Sequence, residues 1–220
     1  MKFSKLHTNY KAIVIGGSAG SFQGITKILS YVPQDFPLPI IMCLHRLKHV
    51  RNGFIEALSI KSIKDVIEPY DKESIKRGKV YLAPANYHMS VELGHYFSLS
   101  TEDMVNNSRP SIDITLETAA FTYKNKLIGI LLSGANKDGA LGMKKIKDSG
   151  GMTVIQDPTE CLIDTMPVAA RAIPAPPMIP PPTPTAATPA AAVFRKSRRV
   201  TAESRPHAEQ SSPAKCIKFM

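Results

Sequence analysis

Ser18 stands inside Gly16-Gly17-Ser18-Ala19-Gly20, directly after the apolar run Ala12-Ile13-Val14-Ile15. A strand that passes into a helix over a G-x-S-x-G turn needs glycine on both sides. The backbone is tight there, and a Cβ would crowd the neighbouring strand or an approaching substrate. The hydroxyl is then held out at the carboxyl end of the strand, which makes Ser18 a candidate nucleophile. The same glycines suit a phosphate-binding turn at a helix N-terminus, so the turn alone leaves two readings open.

Serine is a poor nucleophile until an imidazole takes its proton, and the imidazole needs a carboxylate to fix its tautomer and stabilise its charged form. His45 ends the apolar run Ile40-Ile41-Met42-Cys43-Leu44, and Asp138 lies just beyond the apolar run 128–132. In a doubly wound sheet the carboxyl ends of parallel strands share one edge, where ligands bind, so Ser18, His45 and Asp138 could meet. The chain order Ser, His, Asp, with the serine after the first strand, disfavours an ordinary α/β-hydrolase, which runs Ser, Asp/Glu, His. His49 could share a helical turn with His45, but no H-E-x-x-H or carboxylate spacing accompanies it, and it is expected to face solvent. His88 follows Pro84-Ala85-Asn86-Tyr87 and is expected to be a structural loop histidine rather than part of the site.

The elements that would position these residues follow from periodicity. Residues 11–173 alternate strand and helix signals, as in an α/β fold. Buried strands are expected at 10–17, 37–45 and 127–133, shorter ones at 64–68, 78–83 and 152–156, and a hairpin of 89–93 with 96–100 turning at Gly94-His95. Helices are expected at 21–31, at 50–62, at 111–124 with Ser111 as cap, and at 139–148 closed by Gly150-Gly151.

The 220 residues, 43% of them hydrophobic, suffice for one sizeable core. No apolar run approaches a membrane span, and the first ten residues lack a signal-peptide core, which gives an expectation of a cytoplasmic protein without membrane insertion. Three cysteines without C-x-x-C spacing suggest neither a disulfide framework nor zinc. Cys43 is expected to fill a strand and Cys161 a helix entry. The net charge of +10 invites a nucleic-acid reading, but residues 1–170 hold 20 Lys/Arg against 16 Asp/Glu and residues 171–220 hold 8 against 2. Most of the excess lies near the end of the chain, so no specific nucleic-acid partner is expected. Eight prolines fall between 174 and 189, a density that no helix or central strand tolerates. The chain is therefore divided into a domain, 1–173, and a Pro/Ala-rich basic tail, 174–220, expected to be disordered, either a linker with a basic end or the product of a shifted reading frame.

Five separated blocks resemble the catalytic domain of the chemotaxis protein-glutamate methylesterases, the CheB family. They are Ile15-Gly16-Gly17-Ser18-Ala19-Gly20-Ser21; the strand ending at His45; Tyr81-Leu82-Ala83-Pro84-Ala85-Asn86-Tyr87-His88; Ser108-Arg109-Pro110-Ser111-Ile112-Asp113; and Leu132-Ser133-Gly134-Ala135-Asn136-Lys137-Asp138-Gly139-Ala140. Gln156-Asp157-Pro158 and Met166-Pro167-Val168-Ala169-Ala170 continue the likeness. The resemblance implies a doubly wound, mostly parallel sheet with helices on both faces. It implies Ser18 as nucleophile, His45 as general base and Asp138 as its orienting carboxylate, with no cofactor and no metal. The substrate it implies is a glutamate γ-methyl ester on the cytoplasmic helices of a chemoreceptor, or a glutamine to be deamidated. A methyltransferase or response regulator on a separate chain would be a further partner, because no receiver domain is expected before residue 10.

Three positions depart from the family pattern. Ser21 stands where a second glycine is usual and is expected to cap the following helix. Ala19 lacks the hydroxyl that often follows the nucleophile. Ala135 replaces a common methionine, leaving its backbone N–H to serve an oxyanion. The family's closing strand and helix are expected to be missing. Two other functions stand beside the esterase: a catalytically impaired CheB-like scaffold in a signalling complex, and a nucleotide-binding domain. The last lacks G-x-G-x-x-G and would need an acidic residue where His45 stands.

Overall fold

Eight strands and five helices are found in the computed structural model, which describes residues 9–46 and 52–173. In chain order they are β1 (Ala12–Gly17), α1 (Phe22–Ser30), β2 (Ile40–Leu44), α2 (Asn52–Lys61), β3 (Val66–Ile67), β4 (Val80–Leu82), β5 (His88–Val91), β6 (Phe97–Ser100), α3 (Ile112–Tyr123), β7 (Leu127–Leu131), α4 (Ala140–Asp148), β8 (Met152–Ile155) and α5 (Thr165–Ala172). Six strands form one parallel sheet in the order β3-β4-β2-β1-β7-β8, and β5 pairs with β6 as an antiparallel hairpin. The register sets Ile15 of β1 opposite Met42 of β2 on one side and Ile130 of β7 on the other. After β1 the chain first builds toward β2 and later returns to the other side of β1 at β7. That reversal opens a crevice at the carboxyl ends of β1, β2 and β7, the edge at which ligands bind in doubly wound sheets.

The central strands are apolar on both faces because helices cover both. One core packs Ile15, Met42, Leu44 and Leu82 against Ile25 and Leu29 of α1 and Leu58 of α2. The other packs Val14, Ile41, Cys43, Tyr81 and Leu131 against Ile112 and Leu116 of α3, Met143 and Ile146 of α4, and Met89 and Phe97 of the hairpin. The strands are shorter than the apolar runs that announce them, since the ladder ends where neighbouring strands end.

Some expectations need correction. His88 does not lie in a loop; it is the first residue of β5, with 1% of its surface exposed. Cys161 follows a short 3₁₀ turn, Pro158–Glu160, instead of entering a helix. Helix α5 had no counterpart in the periodicity; Pro167 sits in its first turn, where a missing N–H costs nothing, and Met166 and Ala170 bury themselves one turn apart. His49 and residues 174–220 lie outside the described residues.

Candidate active site

The turn after β1 is built so that only glycine fits at its start. A Cβ on Gly16 would lie 2.4 Å from Ile112 Cγ2 and 2.9 Å from Leu131 Cδ1. Gly20 has φ +83°, and a Cβ there would meet Ser133 Oγ at 2.6 Å. Between them the Ser18 backbone is held at both ends. Its N–H donates to the Ser133 carbonyl at 2.9 Å, and its carbonyl accepts from the Ser21 N–H at 3.0 Å and the Ser21 hydroxyl at 2.7 Å. Ser21 thus bonds back to the turn and makes no side-chain cap on α1, contrary to the expectation. The absent glycine is replaced by a hydroxyl that fastens the Ser18 carbonyl.

His45 leaves the end of β2, where its N–H donates to the Gly17 carbonyl at 3.1 Å, so the β1 and β2 ends are tied next to each other. Its Nε2 lies 2.8 Å from Asp138 Oδ2. With an ionised carboxylate on that side, Nε2 carries the hydrogen of the neutral ring and Nδ1 keeps the lone pair. Ser18 and His45 line the same open cleft of ≈ 460 Å³, together with Asn86, Met104, Ser108 and Arg109. Among the described residues no hydrogen bond joins Ser18 Oγ to His45; such contacts commonly tighten only when substrate is bound.

Asp138 is fully buried. Burial by itself would raise its pKa, but hydrogen bonds from His45, from the Ile112 and Asp113 N–H groups and from the Asn106 amide outweigh it and hold the carboxyl below the usual aspartate value. The Ile112 N–H reaches Oδ2 at 2.7 Å; the Asp113 N–H and the Ser111 hydroxyl reach Oδ1 at 3.1 and 3.0 Å. These are the donors at the start of α3, so the carboxylate also takes up the positive end of that helix. The arrangement is reciprocal. Asp113, in the first turn of α3, accepts from the Gly142 N–H at 2.8 Å in the first turn of α4, the helix that follows Asp138. Burial, with the Asp138 charge adding to it, pushes the Asp113 carboxyl up to about 6 against the Gly142 hydrogen bond.

Several residues of the site carry no motif of their own. Asn106 donates its amide to Asp113 Oδ2 and Asp138 Oδ1 at 3.0 and 3.1 Å. Arg109 clasps Asn86 Oδ1 and the carbonyls of Thr101 and Glu102. The Arg46 side chain, 2% exposed, bonds Glu68 and the Ala83 carbonyl and stacks over Phe54, while its Nε and Nη1 have no hydrogen-bond partner among the described residues. The resemblance blocks included Asn86 and Ser108 without a role; Asn106 and Arg46 had no sequence signal. His88 stays structural: its Nδ1 accepts the Ser111 N–H at 3.2 Å and its Nε2 meets the Asp103 carbonyl at 3.0 Å. A second cavity, of ≈ 370 Å³, lies among Tyr10, Pro39, Ile75, His95 and Tyr123, away from Ser18. No cluster of three or more metal-ligating side chains occurs among the described residues, and none of their helices is long and apolar enough to cross a membrane.

Residues 13–186 match the sequence model of the CheB methylesterase family. A Leptospira interrogans protein, provisionally named protein-glutamate methylesterase/protein-glutamine glutaminase, is 45% identical over 162 residues, or 74% of this chain and 84% of that protein. The Thermotoga maritima protein-glutamate methylesterase/protein-glutamine glutaminase is 35% identical over 164 residues, 71% of this chain but 46% of the relative, so the match spans under half of that protein. The crystal structure of the Thermotoga maritima CheB methylesterase catalytic domain superposes with a TM-score of 0.70 at 34% identity, covering 74% of this chain and 87% of that one.

Proposed function

The chain belongs to the CheB methylesterase family and has the fold of its catalytic domain, and from that premise we propose that it hydrolyses glutamate γ-methyl esters of chemoreceptor cytoplasmic helices with Ser18, His45 and Asp138 as its catalytic triad. The observation that carries the reading is the 2.8 Å contact of His45 Nε2 with a buried, multiply bonded Asp138 beside the cleft that Ser18 lines. Nε2 is engaged, so Nδ1 is the atom that accepts the Ser18 proton. Ser18 Oγ attacks the ester carbonyl, and Asp138 stabilises the imidazolium that forms. The Ser18 and Gly134 N–H groups are spent on the Ser133 and Ile163 carbonyls, whereas those of Ala19 and Ala135 donate to nothing among the described residues. Those two are assigned to the oxyanion. Methanol departs with the proton from Nδ1; water then frees the glutamate by the same steps in reverse. The double names of the relatives extend the reading to glutamine, from which ammonia would leave instead.

Ser18→Ala tests this most directly. The hydroxyl is the only group lost and the glycines still hold the turn, so the folded variant should lose on the order of a million-fold in turnover of a methylated receptor fragment. A folded Ser18→Ala protein with more than a tenth of wild-type activity would overturn the assignment. His45→Gln should lose nearly as much, and the double variant little more, because members of one catalytic unit are not additive.

A further inference from the structure

Val105 and Ser108 exchange both backbone hydrogen bonds, at 3.2 and 2.9 Å, across Asn106 and Asn107, whose φ angles are +50° and +57°. This is a two-residue turn with both central residues left-handed, a conformation that asparagine tolerates better than most side chains but that still costs free energy without glycine. The turn delivers two side chains to the site. The Asn106 amide bridges the two buried carboxylates. Ser108 Oγ lies 3.3 Å from His45 Nδ1, the nitrogen that Asp138 leaves with its lone pair. The Asn136 amide donates to Ser108 Oγ, also at 3.3 Å, and the Asn106 carbonyl offers the hydroxyl an alternative acceptor at the same distance. Ser108 is therefore a hydroxyl with one donor fixed and two acceptors to choose between.

We propose, on the reading that His45 is the base, that Ser108 is a positioning residue. Its hydroxyl donates to Nδ1 in the resting site and rotates to the Asn106 carbonyl as the Ser18 hydroxyl turns to Nδ1, before the proton moves. Only that rotation occurs at Ser108; the one bond to hydrogen that breaks is at Ser18 Oγ and the one that forms is at Nδ1. In the resting site the hydroxyl holds the ring plane by occupying the Nδ1 lone pair. The charged groups around the ring among the described residues are Asp138, which touches it; Asp113, behind it through Asn106; and Arg46 and Arg109, which line the same cleft. None of them is hydrogen-bonded to the Ser108 hydroxyl, so a shift in His45 titration on replacement reports the hydroxyl.

The test is the titration of the His45 ring by NMR in wild type, Ser108→Ala and Ser108→Thr, each as the whole chain. Ser108→Ala should raise the His45 pKa by about 0.5 to 1, the range expected for one net hydrogen bond. Ser108→Thr, which keeps the hydroxyl, should restore the wild-type value. The acidic limb of kcat/KM should move with it, so that Ser108→Ala loses most activity at the acid end and least at the alkaline end. An unmoved His45 titration in Ser108→Ala, or the same shift in both variants, overturns the proposal. The ring titration needs no turnover, so a wild-type protein that hydrolyses no ester but shows the Ser108-dependent shift would sink the esterase reading alone.

Discussion

Asp138→Asn would replace one acceptor oxygen by an NH₂ group in a pocket where every neighbour donates: His45 Nε2, the Asn106 amide, the Ser111 hydroxyl and two backbone N–H groups. The variant should lose activity and also about 1–3 kcal/mol of stability, the cost of leaving buried donors unmatched, visible as a lower melting temperature that Ser18→Ala does not share. The two buried aspartates respond to pH in opposite senses. Asp138 titrates below the ordinary value when folded, so its stabilisation is complete above about pH 4 and is lost as pH falls through its folded pKa. Asp113 titrates near 6 when folded; its contribution is complete below about pH 4 and is lost as pH rises through 6. Asp113→Asn stays neutral throughout, so the decline in melting temperature between pH 4.5 and 7 should be smaller in that variant than in wild type. That Ser18, His45 and Asp138 would lie near one edge of the sheet was legible in the sequence, because each lies at or just beyond a strand end, where position along the chain dictates position in space. Asn106 and Ser108 were not, since their partners come from segments 32 and 63 residues away and no local pattern marks an amide that bridges two carboxylates.

Strand β1 and helix α3 approach so closely that Gly16 and Gly139 share the same two obstacles, Ile112 Cγ2 and Leu131 Cδ1. Gly16→Ala should therefore destabilise by about 1–3 kcal/mol through overpacking. Ile112→Ala removes the nearer obstacle, so the double variant should be less destabilised than the sum of the two single ones when each is unfolded in urea. All eight strands and four of the five helices were legible, because apolar runs bounded by glycine and proline carry the fold's alternation. Strand ends were not, for they depend on the neighbouring strand, and neither was α5, where Pro167 mimics a breaker although it sits in a tolerant first turn. Ser21 misled for a related reason. A serine before a helix reads as a cap, yet here its hydroxyl has a nearer acceptor in the Ser18 carbonyl.

Across the whole molecule β1 and β7 lie inside the sheet, while β8 closes the described sheet with Met152 and Val154 each 44% exposed. Hydrogen exchange should be slowest at the amides of β1 and β7 and faster in β8; equal protection of all three would contradict this order. The division at residue 174 rests on proline density, whereas the family match runs to residue 186. Limited proteolysis decides between them: first cuts between Arg171 and Arg205 that leave a core starting near residue 10 would support the compositional boundary. The paired helix starts, each held by an acid from the other's neighbourhood, carry a consequence for descent. On the proposed function, Ser18 could be replaced in a lineage that no longer needs hydrolysis at little cost to folding, but Asp138 fastens α3 whether or not anything is hydrolysed. If that function holds, inactive descendants should shed the serine first and keep the aspartate, so that a buried aspartate at this helix start without its serine would mark a lost triad.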